Sequence, residues 1–188
     1  EFLDSLDALA QRLALLGALN SLSQLTLKAT MPGVPDFYQG TELWDLSLVD
    51  PDNRRPVDFG VRERLLASGE SQDWRRLARN WRSGELKFAW MRHLLKLRSS
   101  LAEVFTHGEY IPLDVSGPHR DHVVAFARRR GRDAAIIAVV KSFAPFTDAG
   151  RVWPRMENLH ATVNLEGFLL DGVRGGTADV ALSSLLGD

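Results

Sequence analysis

The first thirty residues carry apolar side chains at alternating spacings of four and three. These positions are Phe2, Leu6, Leu9, Leu13 and Leu16. Such spacing places them on one face of a helix, so the pattern predicts a helix from about residue 2 to about residue 30. Gly17 and the Asn20-Ser21 pair could bend or interrupt this helix, because both are typical of turns.

Three shorter helices are predicted in the middle of the chain. Val61–Ala67 has a brief helical pattern that ends near Gly69. A second amphipathic turn or two begins at Trp74, and a longer helix is predicted over about 85–103.

Beyond residue 106 the apolar pattern changes from helical spacing to alternation. Short strands are predicted at Tyr110–Val115, His122–Arg130, Ala135–Val140, Thr162–Leu165 and Phe168–Leu170. The turn Gly131-Arg132-Asp133 joins the second and third of these into a hairpin whose second strand is buried. The tail over 178–188 predicts one helical turn at most. Helices followed by strands indicate an α+β chain with two domains, 1–106 and 107–188.

The segment between the first two helices has a different chemistry. Prolines mark the entry and exit of the segment, and we interpret its short run Val34–Tyr38 as a single strand. A long polar loop with aromatic residues follows and extends to about Phe59. A rigid scaffold presents loops of this kind to ligands, so the segment is the best candidate for a binding site.

Carboxylates are frequent in this segment. A retaining glycosidase needs two of them about 5–5.5 Å apart, one as nucleophile and one as acid/base. The residues alone leave these candidates, with Glu42 and Asp50 first: Asp36, Glu42, Asp45, Asp50 and Asp52. Asp36 is also readily interpreted as a hydrogen-bonded structural acid, because buried acids are normally paired.

Two stretches of the chain resemble a known family. The run from Gly17–Gln24 through Pro32–Phe59 resembles the maltooligosyl trehalose synthase family of the α-amylase superfamily. Independently, Met91–Arg98 with Leu101-Ala102 and Gly108–Tyr110 resembles the last barrel helix of α-amylases and its crossover into their C-terminal β domain.

The resemblance implies a specific fold. Val34–Tyr38 would be the eighth strand of a (β/α)8 barrel, and 1–106 would be the terminal strand and helices of that catalytic barrel. Residues 107–188 would form an antiparallel β-sandwich. In the superfamily the nucleophile, the acid/base and a third aspartate lie on strands four, five and seven, all of which precede this segment. We therefore assign no catalytic residue, and we expect an inactive fragment of a longer protein.

The resemblance also implies substrate-binding residues. In α-amylases a loop similar to Asp50-Pro51-Asp52-Asn53-Arg54 supplies an aspartate and an arginine that hydrogen-bond a sugar, which assigns these roles to Asp50 and Arg54. A carboxylate accepts from two sugar hydroxyls, and a guanidinium donates as a planar fork. The alternative is a self-contained loop, in which Asp50 caps backbone amides and Arg54 or Arg55 pairs with Asp52 or Asp58.

Four neighbours are weaker candidates for sugar contacts. Trp44 could stack on a glucose ring, and Tyr38 could offer its hydroxyl; either could instead pack the loop against the barrel rim. Gln39 and Glu42 follow the predicted strand and could bond sugar hydroxyls or simply hold the loop.

Composition narrows the function classes. With 23 basic and 24 acidic residues the net charge is −1. The chain therefore has no excess of positive charge that would attract nucleic acid or an anionic membrane. The absence of cysteine excludes disulfides and thiolate metal sites and is compatible with a cytoplasmic protein. No apolar run reaches the ~20 residues of a membrane span.

Neither a metal nor a cofactor is expected. The five histidines (His93, His107, His119, His122 and His160) show no ligand spacing. The basic residues at the hairpin, Arg128–Arg130 with Arg132, are interpreted as a solvated turn.

By resemblance, the intact enzyme converts the reducing-end α-1,4 bond of a maltooligosaccharide into an α,α-1,1 bond by intramolecular transfer. This is an isomerase reaction of trehalose biosynthesis. The alternatives are an α-amylase-type hydrolase and, for residues 106–188, a non-catalytic carbohydrate-binding module. Against the module, Tyr110, Trp153 and Phe168 are not spaced as a stacking platform. Apolar surface left without barrel partners should favour self-association.

Overall fold

The computed structural model describes residues 1–48, 50–69, 73–168 and the backbone of 179–181. These residues form helices and small antiparallel sheets, so the predicted α+β class is confirmed. The chain divides into two compact units. The first unit contains Glu1–Gly33 and Leu101–Asp188, and the second contains Val34–Ser100. The first helix therefore belongs to the same unit as the strands. The predicted domain boundary of the intact protein, near residue 106, stays a prediction.

Helix α1 spans Phe2–Thr30 and confirms the predicted helix. It continues through Gly17, and the Asn20-Ser21 pair does not interrupt it. Its second half is packed: the buried residues are Leu15, Ala18, Leu19, Leu25, Ala29 and Thr30. The predicted apolar face of its first half is mostly solvent-exposed, with Phe2 78% exposed. That surface is the reason we expect self-association, which stays a prediction.

The second unit contains three helices with identifiable ends. Helix α2 is Phe59–Ala67, and α3 is Trp74–Arg79. At the start of α2 the Asp58 side chain accepts from Val61 N, and at the start of α3 the Asp73 side chain accepts from Arg76 N. The first N–H groups of a helix lack intrahelical acceptors, so these side chains supply them. Helix α4 is Glu85–Ser100.

The predicted helix over 85–103 is two helices. Helix α4 ends at Ser100, and a separate helix α5, Ala102–His107, begins in the first unit. Leu101 between them has φ −112° and ψ 41°, which is outside the helical region. The apolar pattern runs across this point, so the pattern alone did not reveal the break.

In the described part of the chain, six strands form two sheets. They are β1 Glu109–Pro112, β2 Val115–Ser116, β3 Val123–Arg130, β4 Asp133–Val140, β5 Thr162–Asn164 and β6 Asp179–Ala181. The sheet orders are β1-β3-β4 and β2-β5-β6, with every pairing antiparallel. The predicted pairing of the hairpin is confirmed, because Arg130 pairs with Asp133 across a turn in which Gly131 has a φ of 62°. The more fully buried strand is the first, β3, rather than the second as predicted. Its apolar core contains Phe126, Ile137 and Val139.

Three strand predictions differ from the structure. The predicted strand Tyr110–Val115 is two strands, β1 and β2, which belong to different sheets. Val34–Tyr38 is not a strand: it has no ladder among the described residues, and Val34 is 97% exposed. Extended chain becomes a strand only when a neighbour completes its hydrogen bonds. Phe168 lies outside the strands, whereas Leu169 and Leu170 lie outside the described residues. Most of the tail over 178–188 also lies there, and its described part is β6 rather than a helical turn. The barrel and the sandwich stay predictions.

Arg128 joins α1, α5 and β3 within the first unit. Its side chain is 1% exposed, which corrects the interpretation of this residue as part of a solvated turn. One terminal nitrogen donates to Thr30 O at 3.1 Å, and the other donates to Phe105 O at 3.1 Å and Gly108 O at 2.9 Å. Strand β3 is the central strand of its sheet, so most of its residues are covered. Arg130, at the tip of the hairpin, is exposed.

Replacing the buried guanidinium should destabilise the first unit strongly. We expect Arg128→Met to lower the free energy of unfolding by roughly 2–4 kcal/mol, because three carbonyl oxygens lose charged donors. The matched control is Arg129→Met, which removes the next arginine along the strand. Its side chain is 40% exposed and lies 3.5 Å from Glu109, so its loss should matter by less than about 1 kcal/mol. Urea unfolding of both variants measures the difference, and equal effects would contradict the role given to Arg128.

Candidate functional site

The candidate site is the loop that leads from Tyr38 to the start of α2. It begins with a turn in which Thr41 N donates to Tyr38 O at 3.2 Å, and Gly40 there has a φ of 93°. It ends at Asp58, the residue that caps α2. Between these points the described backbone forms a short 3-10 turn, Asp52–Arg54, and is otherwise irregular.

Asp50 and Arg54 form a bidentate ion pair. Arg54 Nε donates to Asp50 Oδ1 at 2.6 Å, and Arg54 Nη2 donates to Asp50 Oδ2 at 2.5 Å. The pair is open to solvent, with the Arg54 side chain 69% and the Asp50 side chain 55% exposed. A guanidinium has five N–H donors and a carboxylate about four acceptor positions, so the pair retains hydrogen-bonding capacity on its solvent side.

Asp52 and Arg55 hold the loop backbone. Asp52 Oδ2 accepts from Leu48 N at 2.7 Å, and Asp52 Oδ1 accepts from Arg55 Nη2. The loop is thus partly self-contained, as the alternative interpretation expected, but Asp52 rather than Asp50 binds the backbone amide. The Asp50 and Arg54 side chains bind each other in the described part of the loop.

Glu42 lies at the base of the loop, where it is half-buried. Its Oε2 accepts from Arg62 Nε at 2.7 Å and from Gly40 N at 3.1 Å. Gln39 beside it is exposed. These contacts favour a supporting role for Glu42, and its role as a sugar contact stays a prediction, as does that of Gln39.

Trp44 is held by the region that leads into α4. Its Nε1 donates to Trp81 O at 2.6 Å, its ring meets the Trp81 ring edge to face at 6.3 Å, and Lys87 Nζ lies 5.4 Å from its centroid. The ring is half-buried, whereas Tyr38 and Asp36 are exposed. Asp36 therefore does not occupy a strand interior.

The structure brings together one predicted pair of site residues. Asp50 and Arg54 meet in the loop, whereas Glu42 and Trp44 contact α2 and the 81–87 region. Arg62 supports the base of the loop with its side chain and was not among the predicted site residues. The available signal was its position on the first turn of α2, four residues after the capping Asp58.

No metal or membrane-spanning feature is seen in the described residues. Within 1–48, 50–69 and 73–168, histidine, aspartate and glutamate side chains do not cluster in groups of three or more that could hold a metal ion. The helices in these ranges are too short or too polar to cross a bilayer.

Asp45 is the loop residue whose titration the structure perturbs. Ser47 Oγ donates to its carboxylate at 2.5 Å and Ser47 N donates at 2.9 Å. These bonds, first that of the hydroxyl, hold the pKa of Asp45 below its ordinary value, and the charges of Lys87 and Arg55 act in the same direction. Because the pKa is lowered on folding, the stabilisation is present above the ordinary aspartate pKa of about 3.9 and is lost as pH falls through the folded value.

Ser47→Ala should therefore raise the pKa of Asp45 toward its ordinary range, since the hydroxyl donor is lost while the amide donor remains. An NMR titration of the carboxyl carbon measures this shift. Ser83→Ala, a serine substitution elsewhere in the second unit, is the control and should leave Asp45 unchanged. An unaltered pKa in Ser47→Ala would contradict the hydroxyl as the main cause.

Comparisons with known proteins agree on one group. No protein-family model matches the chain. Two proteins of Mycobacterium tuberculosis, from strains CDC 1551 and H37Rv, are each 45% identical to it over 122 residues and carry the provisional name maltooligosyl trehalose synthase. This match covers 65% of the chain and 14% of each relative.

Solved structures give the same result. The maltooligosyltrehalose synthase of Arthrobacter ramosus matches with a TM-score of 0.63 at 33% identity, over 85% of this chain and 19% of that enzyme. Another maltooligosyl trehalose synthase structure matches with a TM-score of 0.55 at 30% identity, over 82% and 18% respectively.

The chain is thus homologous to one part of the enzymes of a family that acts in carbohydrate metabolism. That family is the maltooligosyl trehalose synthases, and the predicted resemblance is confirmed. The chain spans less than a fifth of the length of these relatives.

Proposed function

We propose that the chain is the C-terminal part of a cytoplasmic maltooligosyl trehalose synthase and forms one wall of its substrate site. The intact enzyme would convert the reducing-end α-1,4 bond of a maltooligosaccharide into an α,α-1,1 bond. The observation that carries the proposal is the exposed, bidentate Asp50–Arg54 pair in a chain whose relatives carry this name.

The energetics allow the pair to bind sugar although its members already bind each other. An exposed ion pair contributes only about 0.2–1 kcal/mol. A hydrogen bond between a charged group and a sugar hydroxyl is worth roughly 1.5–3 kcal/mol. A sugar can therefore add bonds to the outer positions of Asp50 and Arg54, or displace part of their mutual contact, with a net gain.

Under this proposal the residues of the chain bind and orient the substrate without carrying out the chemistry. The mechanism of the superfamily is a double displacement through a glycosyl-enzyme intermediate. The released glucose must rotate and attack again before water does, which requires a closed site with little water. A loop that binds the adjacent sugar would keep the rest of the maltooligosaccharide in place during this rotation.

Removing either member of the pair should weaken substrate binding in the full-length enzyme. We expect Asp50→Ala and Arg54→Ala each to raise KM for maltooligosaccharides by roughly ten- to a hundred-fold, since each deletes a charge-assisted bond of about 1.5–3 kcal/mol. If the contact is equal in the ground and transition states, kcat changes little. Steady-state kinetics and melting temperatures are measured on the same preparations.

Arg55→Ala is the matched control for this experiment. It removes the adjacent arginine, whose partner is Asp52 rather than Asp50, so it deletes no proposed sugar contact and should raise KM less than Arg54→Ala does. A large drop in melting temperature with unaltered KM in Asp50→Ala and Arg54→Ala would show that the pair only braces the loop.

The 188-residue chain alone should convert no maltopentaose, because we place the catalytic carboxylates in the rest of the enzyme. Product analysis of the chain and of the full-length enzyme tests this. The full-length enzyme should yield a non-reducing product of unchanged size, whereas shorter reducing sugars would indicate a hydrolase. Turnover by the chain that depends on Glu42 or Asp50 would refute the assignment.

A further inference from the structure

Arg62 makes a three-point contact at the base of the candidate loop. From α2, its Nε donates to Glu42 Oε2 at 2.7 Å, its Nη2 to Gly40 O at 2.6 Å and its Nη1 to Asp58 O at 3.0 Å. The Arg62 side chain is 14% exposed and that of Glu42 is 27% exposed. This pair is therefore shielded from solvent in a way that the Asp50–Arg54 pair is not, and its attraction is correspondingly stronger.

The three acceptors lie on both sides of the loop that carries the candidate sugar contacts. Gly40 and Glu42 precede the segment 43–57, and Asp58 follows it. One planar guanidinium thus joins the residues that lead into the loop to the residue at which the loop ends. A surface loop with its ends held together is confined in its conformations.

The packing at this neck is tight. A β-carbon added to Gly40 would lie 3.1 Å from Val57 Cγ2, and Gly40 has a φ of 93°. Gly40, which precedes the loop, therefore lies close to Val57, the last residue of the loop, and Arg62 donates to the carbonyl oxygen of Gly40 at the same place. A lysine cannot reproduce this arrangement, because its single ammonium lacks the fixed fork of an arginine.

The start of the loop is fixed independently. Lys87 Nζ donates to Leu43 O at 3.1 Å, and Trp44 Nε1 donates to Trp81 O at 2.6 Å. The return of the chain at Asp58 relies on the α2 cap and on Arg62. Arg62 contacts both ends and so links them to each other.

We propose that Arg62 is a positioning residue for sugar binding: by clamping the neck of the 43–57 loop it holds Asp50 and Arg54 in the geometry that receives a maltooligosaccharide. The inference rests on the proposed function. A loop held in its binding geometry loses less conformational entropy when the ligand binds. Loss of the clamp should therefore weaken binding without removing a direct contact.

The first test follows the loop itself, by hydrogen exchange of the 188-residue chain. Arg62→Gln should accelerate exchange at the amides of 43–57, and Arg62→Lys should have an intermediate effect because it keeps the charge but not the fork. The matched control is Arg64→Gln, which removes an exposed arginine from the same helix and should leave the loop unchanged. Unchanged exchange in Arg62→Gln would overturn the clamp.

The second test measures kinetics in the full-length enzyme. Arg62→Gln should raise KM on the order of ten-fold with little change in kcat, because misplacement of binding groups acts on substrate affinity. In an Asp50→Ala/Arg54→Ala background the same substitution should have no further effect on KM, since the groups that it positions are gone. Non-additivity of this kind supports the positioning role, whereas a merely structural role would give additive effects.

The two tests separate the failure of the inference from the failure of the proposed function. If Asp50→Ala/Arg54→Ala raises KM but Arg62→Gln does not, the positioning role is wrong and the sugar site stands. If neither change affects KM, the sugar site is wrong, and the inference falls with it whatever the exchange experiment shows about the loop.

Discussion

The first unit depends on a buried cation whose hydrogen-bond acceptors are backbone carbonyls. Arg128 reaches Thr30 at the end of α1, and Phe105 and Gly108 at the end of α5. Carbonyls at the C-terminal ends of helices lack intrahelical donors and carry partial negative charge, so a guanidinium satisfies them and is itself compensated. Burying a charge is otherwise very unfavourable. The ends of α1 and α5 must therefore meet at β3, which fixes the positions of both helices relative to the sheet.

Arginine serves a similar purpose on a smaller scale in the second unit. Arg62 also bonds two backbone carbonyls, those of Gly40 and Asp58, but its third acceptor is the carboxylate of Glu42. In both units the planar fork connects segments that are not adjacent in the chain. This use depends on geometry as much as on charge, since a lysine would supply the charge but not several directed donors.

The parts of the fold that could be predicted are those set by local spacing. Helix α1, helices α2 to α4 and the β3–β4 hairpin follow from periodicity and from one turn. Val34–Tyr38 was misassigned because a strand also needs a partner that local spacing does not supply. Arg128 was misread because its three acceptors are 98, 23 and 20 residues away, and nothing in a run of three arginines shows which one faces inward. At the site, Asp50 and Arg54 were identified from their motif, but their mutual pairing and the support from Arg62 depend on distances that no motif encodes.

The contrast in burial between Arg62 and Arg54 fits the roles that we propose for them. A group that holds a loop gains from shielding, because weaker screening strengthens its contacts and it never has to exchange partners. A group that binds a ligand must stay open to solvent, and a partner of modest strength is an advantage there. The Asp50–Arg54 pair keeps both side chains oriented in the absence of sugar, which reduces the rotamer entropy lost on binding, yet its small net stability does not compete with the ligand. A weak exposed pair on a loop with a strong shielded clamp is thus the arrangement expected of a preorganised binding surface.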